Sequence, residues 1–260
     1  MELLKKTIKS GNASAVVLPK AWLNKQVRIE LVDKSPEMIL YEVLDAVKSI
    51  IDLQDIIGIY LVGSYARNDQ EGISDIDILI ISEKTSKELI KISNYEIMIV
   101  SLDLLNYKLN ENLLPIGTML KEARPLLNNK FLKEIKIEVT KKNTKWFLDT
   151  TENSLKVIKN SIDKIEKKKP DGKLSDSIAY SLILRLRTLY MIDCLIKNKD
   201  YRKNAFIKLI EEISCSLTAY NRYVYAKDHK ENKRLLPLEE GKMLYEYLKS
   251  YLQKIRVSVK

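Results

Sequence analysis

Two short apolar runs, Ile59-Tyr60-Leu61-Val62 and Ile76-Asp77-Ile78-Leu79-Ile80, most tightly constrain what this chain can fold into. The first leads straight into Gly63-Ser64-Tyr65-Ala66-Arg67, and the second is entered through Ser74-Asp75. Ten residues lie between Ser64 and Asp75. The pattern predicts a strand over 57–62, a glycine turn, a short helix from about Ser64 and a second strand over 76–81. Alternate residues of a strand point the same way, so Asp75 and Asp77 are expected to face one site. Two carboxylates a few ångströms apart repel, and a divalent cation between them is the most effective way to keep both ionised. The layout therefore points to metal-assisted chemistry on a phosphate-bearing substrate.

The rest of the chain divides around this centre. Residues 1–34 read as a small β-hairpin domain, 35–130 as an α/β domain with a mixed sheet, and 131–260 as an antiparallel helical bundle, an α+β chain overall. In the first segment Glu2 to Lys9 alternates weakly, Gly11-Asn12 signals a turn, and Ala15-Val16-Val17-Leu18 is β-rich. Gln26 to Leu31 alternates at period two, and Pro19 to Lys25 between these runs predicts a turn of helix and a loop. The segment is too small to close a core alone, so it is expected to dimerise or pack on another surface.

In the middle segment, Ser35-Pro36 opens a helix expected to run to about Asp52, with Ile39, Leu40, Val43, Val47 and Ile50 on one face. Lys87 to Lys91 is expected to add a helical turn, Tyr95 to Val100 a third strand, and 102–114 and 115–120 covering helices. From about 150 onward only helices are expected. Their stripes are Leu155, Ile158, Ile162 and Ile165; Ile178 to Ile196; Phe206 to Leu217; and Met243 to Tyr251.

Charge adds a partner class. The formal net charge of +10 fits a protein that handles polyanions, and fits equally a chain whose lysines simply solvate its surface. No apolar run reaches the ~18 residues of a membrane span, and the N-terminus shows no signal-peptide core, so a cytoplasmic protein is expected. Cys194 and Cys215, with His229 the single histidine, argue against a structural zinc site, and both cysteines are expected in the core.

Taken together, Gly63-Ser64, the spacing and Asp75-Ile76-Asp77 resemble the nucleotidyltransferase superfamily that includes DNA polymerase β. Gly-Ser-Tyr-Ala-Arg with Ser-Asp-Ile-Asp looks most like its minimal nucleotidyltransferase branch. The resemblance implies transfer of a nucleoside monophosphate from a triphosphate, most simply ATP, to a hydroxyl acceptor of unknown identity. It implies Mg²⁺, with Mn²⁺ as a substitute, held by Asp75, Asp77 and a third carboxylate in a neighbouring apolar strand. Glu96 in Tyr-Glu-Ile-Met-Ile-Val is the best match, with Asp103 a competitor. Gly63 and Ser64 would cradle phosphates, and Arg67 would reach a phosphate or pair with a carboxylate.

Two further likenesses flank this one. Residues 10–23 with Val27-Arg28-Ile29 resemble the AbrB-type swapped-hairpin domain, which implies a homodimer and DNA contacts from Lys5, Lys6, Lys9, Lys20, Lys25 and Arg28. A β-appendage that only dimerises is the other reading. Arg222 and His229 loosely resemble the Arg-x4–6-His signature of HEPN domains. Arg185 and Arg187 sit inside an apolar helical run, where a buried arginine needs a carboxylate or a phosphate. Either faces the nucleotide cleft as an acceptor or phosphate contact, or snorkels outward. A different class of function remains open from these features: a DNA-binding, antitoxin-like regulator whose nucleotidyltransferase-like domain senses nucleotide.

Overall fold

The computed structural model describes residue 3 and residues 5–29, 34–69, 75–169, 172–227 and 236–259. Contacts divide the chain into two units, Met1–Lys34 and Ser35–Lys260. In the first, strands β1 (Ile8–Ser10) and β2 (Ala13–Ala15) pair as an antiparallel hairpin with Lys9 opposite Ser14. Gly11 turns it at φ +60, a backbone that favours glycine. A single 3-10 turn follows at Lys20–Trp22. The strand expected over 26–31 forms no ladder across 26–29, and Glu30 and Leu31 lie outside the described residues. Alternation makes a strand only where another edge pairs with it, and residues 26–29 do not join the β1-β2 ladder. No described residue of this unit is buried, and Ile8, Val17, Leu23, Val27 and Ile29 stand exposed.

The second unit opens with α1 (Pro36–Val47), where the Ser35 hydroxyl accepts from the Met38 N–H and Pro36 fills the first helical position. It ends before the expected Asp52, because Asp52 caps a separate 3-10 turn at Leu53–Asp55 and accepts from the Gln54 N–H. Then come β3 (Ile56–Val62), α2 (Gly63–Arg67), β4 (Ile76–Ser82), β5 (Lys87–Ile92) and β6 (Tyr95–Ser101). α3 (Leu102–Glu111), α4 (Ile116–Glu122), β7 (Arg124–Leu127) and α5 (Asn129–Glu134) complete this part. The five strands lie in the order β5-β6-β4-β3-β7, with β4 and β6 parallel and the other pairs antiparallel. A mixed sheet with covering helices is what the apolar runs predict.

β5 replaces the helical turn expected at Lys87–Lys91. Ser93 adopts φ +55, which folds β5 back on β6 and sets Lys91 opposite Glu96. β7 is a strand the sequence reading passes over because it contains Pro125, a residue tolerated on a sheet edge.

Strand alternation divides the core in two. Ile59, Leu61, Ile76, Ile78, Ile80, Ile97 and Ile99 pack with Ile39, Val43 and Val47 of α1. Tyr60, Val62, Leu79, Ile81 and Val100 face Leu105 of α3 and Ile116 and Leu120 of α4. Side chains as large as these stabilise the fold by about 1.5–3 kcal/mol each when fully buried.

The remainder comprises α6 (Lys141–Lys168), β8 (Lys173–Leu174), α7 (Asp176–Ile196), α8 (Lys203–Ser214), α9 (Thr218–Lys227), β9 (Leu236–Pro237) and α10 (Leu238–Ser258). α6 starts well before position 150, since Thr140 and Asn143 form a reciprocal capping box. The expectation of helices alone is corrected by β8 and β9, which pair across the bundle. α8 ends at Ser214 rather than Leu217, because Cys215 turns the chain at φ +53 and leads into the unforeseen α9. Cys194 is buried as expected, whereas Cys215 is exposed. No described helix is long and apolar enough to cross a membrane.

Candidate active site

β4 is central and covered on both faces, so it reads as a continuous apolar strand with one interruption. Ile76 and Ile78 to Ser82 are all buried, while Asp77 alone is only part-buried. A carboxylate costs stability in such a place, which makes it a candidate for function. Asp77 lies opposite Val62 of β3 and, on the other side, opposite Glu96 of β6. Asp77 and Glu96 therefore point from the same sheet face at the end where β3 turns into α2. Asp75 precedes β4 by one residue and is exposed; Ser74 lies outside the described residues. Asp103 sits in the first turn of α3, beyond the other end of β6 and on the order of 15 Å along the strand from Glu96.

The turn is built against the acids. Gly63 has φ +69, and a Cβ there would stand 1.9 Å from Asp77 Oδ2. Glycine is needed for both the backbone and the space. α2 is only five residues long and closes at Asn68 in the left-handed region. The Gly63 N–H donates to Glu122 Oε1 at 2.8 Å. Arg67 Nη1 donates to Glu122 Oε2 at 2.7 Å, and Arg67 Nε to Asp69 Oδ2 at 3.1 Å. Of the two roles open to Arg67, the structure shows pairing with carboxylates. Glu122 went unnoticed in the sequence because nothing in Leu120-Lys121-Glu122-Ala123 marks it. Only the packing of α4 on α2 brings it to the turn.

Electrostatics follow from this crowding. Burial first, then the neighbouring Glu96, with smaller contributions from Asp75 and Glu122, pushes the Asp77 carboxyl up to about 6, against a counterpull from Arg67. Burial also pushes Glu122 up, while Arg67 and the Gly63 N–H oppose it. Lys91 pairs with Glu96, and that contact, with Asp75 and Asp77 nearby, raises the lysine pKa. Among the described residues, no group of three His, Cys, Asp or Glu converges closely enough to enclose a metal ion. The donor set nonetheless suits a hard divalent cation: carboxylate oxygens, in cross-strand register, held in mutual repulsion.

The two bundle arginines part company. Two residues along an α-helix is about 200° of rotation, so they leave α7 on opposite sides. Arg187 lies over the Tyr201 ring at 5.5 Å and donates to the Tyr223 hydroxyl at 3.3 Å. Arg67 lies over the same ring at 5.6 Å, so Tyr201 joins the Gly63 turn to the bundle. Arg185 instead donates to Ser154 Oγ and Thr150 Oγ1 of α6. Arg222 is almost fully buried and pairs with Asp176, and His229 lies outside the described residues. Lys5, Lys6, Lys9, Lys20, Lys25 and Arg28 are all exposed in the first unit.

The sequence model of the nucleotidyltransferase domain family matches residues 40–171, which spans most of α1, the sheet with its acid-bearing strands and all of α6. The chain belongs to the nucleotidyltransferase domain family. No curated protein sequence matches it. Among solved structures, it is similar to a spectinomycin adenyltransferase from Enterococcus faecialis determined with ATP and spectinomycin. The identity is 17%, the match covers 82% of this chain and 99% of that one, and the TM-score is 0.41. A nucleotidyltransferase-like protein from Exiguobacterium sibiricum is similar at 15% identity over 83% of this chain and 76% of that one, with a TM-score of 0.35. At these scores neither likeness identifies a substrate for this chain.

Proposed function

We propose that the chain transfers a nucleoside monophosphate from a nucleoside triphosphate, most simply ATP, to a hydroxyl acceptor and releases pyrophosphate. The observation that carries this reading is the cross-strand register of Asp77 and Glu96 beside the Gly63 turn. Asp75, Asp77 and Glu96 would hold Mg²⁺ or Mn²⁺, which when bound would neutralise charge on the triphosphate and favour loss of the acceptor's proton. Gly63 leaves room for the Asp77 carboxylate to sit against the turn, and the Ser64 hydroxyl can donate to a phosphate oxygen. The acceptor oxygen attacks the α-phosphorus, the bond to the β-phosphate oxygen breaks, and Glu96 takes the hydroxyl proton. Lys91 must release Glu96 for that role. Arg67, engaged by Glu122 and Asp69, stiffens the turn, and Arg187 shares the Tyr201 ring with it.

In this reading residues 35–130 form the catalytic domain and 131–260 bind the acceptor or a partner. Transfer of label from α-³²P-labelled ATP, CTP, GTP or UTP with Mg²⁺ or Mn²⁺ into a lysate acceptor tests it. We expect an Asp75→Asn/Asp77→Asn double variant to lower transfer by ~10²–10³-fold or more. Equal labelling by the double variant would overturn the proposal.

A second reading concerns the first unit, whose apolar side chains are exposed and whose basic residues face solvent. We propose that residues 1–34 associate with a second copy in the manner of AbrB-type hairpins and offer Lys9, Lys20, Lys25 and Arg28 to DNA. Salt-sensitive duplex binding that vanishes on removal of residues 1–33 is the expected result.

A further inference from the structure

We infer that the groove between α6 and α7 is a binding site for an organic oxyanion of the phosphate monoester class, separate from the catalytic turn. The groove has a volume of about 320 Å³, within the range of small-ligand sites. Among the described residues, Arg185 is the one charged group on its lining. Thr150, Asn153, Ser154 and Ser181 supply neutral polar groups, and Val157, Ile158 and Ile178 an apolar wall.

The hydrogen bonds show why the cation wants an anion. The Thr150 hydroxyl gives its proton to the carbonyls of Trp146 and Phe147, and the Ser154 hydroxyl gives its proton to the Thr150 carbonyl. Both oxygens can therefore only accept from Arg185, at 3.1 Å to Nη1 and 3.0 Å to Nε. These two bonds fix the plane of the guanidinium through neutral oxygens and leave its charge unmatched. Burial pushes its pKa down, and among the described residues no carboxylate offsets it. The nearby carboxylates are engaged elsewhere, Glu152 by Arg256 and Asp149 by Lys145. A guanidinium has five N–H donors, so the rest of the fork is available for bidentate contact with an oxyanion. Asn153 and Ser181 on the lining can donate beside it, and the aliphatic wall suits the ligand's organic body.

Position separates this site from the nucleotide site. Arg185 and Arg187 leave α7 on opposite sides, and only Arg187 shares Tyr201 with Arg67 of the turn. The inference does not depend on the proposed activity.

The test is calorimetric titration of the full chain with inorganic phosphate and with phenyl phosphate, at constant ionic strength set with chloride. Phenyl phosphate is expected to bind more tightly, through the aliphatic wall. Arg185→Gln should weaken it at least tenfold. Asn153→Asp, an exposed change that gives Arg185 an internal carboxylate, should do the same without removing the arginine. Asp77→Asn should leave binding unchanged, and saturating ATP should not compete. Absence of phenyl phosphate binding to the wild type overturns the inference. So does binding that survives both groove variants, binding no tighter than that of inorganic phosphate, or binding displaced by ATP.

Discussion

The sheet end and the bundle carry opposite charge problems, and they solve them differently. At the sheet end, strand register forces Asp77 and Glu96 side by side, with Asp75 and Glu122 adding to the same field. In the bundle the arginines are dispersed. Arg222 has a carboxylate, Arg187 has tyrosines, and Arg185 has hydroxyls. Repulsion that could have been relieved by distance is retained at the sheet end, and the proposed cation site rests on that feature. The bundle distributes its charges so that each is tolerated where it stands.

The sharpest way to break this contrast is Gly63→Ala. The added carbon would meet Asp77 Oδ2 at 1.9 Å and would need a residue other than glycine at φ +69. We expect transfer activity to fall by ~10²-fold or more, since about 1 Å of misplacement has that effect. Stability should drop by ~1–3 kcal/mol. Steady-state transfer and urea unfolding measure the two. Full activity in the variant would mean that the turn and Asp77 are not packed as a unit.

Glu122→Gln asks whether the charges at the sheet end act together. Glutamine can still accept from the Gly63 N–H but presents either an amide or nothing to Arg67, which keeps only Asp69. Loss of this partly buried, charge-assisted bond should cost ~1–3 kcal/mol. If Glu122 positions the turn, kcat should fall about tenfold with KM for the nucleotide unchanged or lower, because a freed Arg67 makes the turn more attractive to phosphate. A loss of stability with both constants untouched would reduce Glu122 to a structural tie.

These effects also mark what was legible in the sequence. The acids, the turn and the apolar strands could be read because each is local: a period of two, a glycine, a lone charge in an Ile-rich run. Glu96 is preferred over Asp103 already as a lone acid in an apolar run, and the parallel pairing of β4 and β6 then sets it beside Asp77. Glu122 and Tyr201 could not be read at all, because neither sits in a pattern and both reach the turn through tertiary packing. The same limit explains β5, whose hairpin depends on Ser93 taking a backbone that serine seldom adopts. It also explains the first unit, where the alternation over 26–31 is present but residues 26–29 join no ladder. Helical stripes in the bundle identified α6, α7, α8 and α10 but not α9, and a stripe cannot say which of two nearby arginines faces the turn.

The smallest effect, and the one that most directly separates the two regions, is a pH dependence. In the folded protein the Asp77 carboxyl sits at about 6, above the ordinary 3.8. Between those values the folded chain holds a proton that the unfolded chain has lost, so stability from this group falls as pH rises from about 4 to about 6. Below that window the contribution is at its most favourable; above it, the ionised carboxylate faces Glu96 at a constant disadvantage. Asp77→Asn removes the titration, and we expect it to melt a few degrees higher than the wild type at pH 7.5 without divalent cations. Added Mg²⁺ should raise the wild-type Tm at pH 7.5, should do so less as pH drops below about 6 where protons compete for the same oxygens, and should hardly affect the variant. Melting curves across pH 4–8, with and without Mg²⁺, read all three. Superimposable curves for wild type and variant would mean that the acids are no more crowded than the charges of the bundle, and the contrast between the two regions would fail.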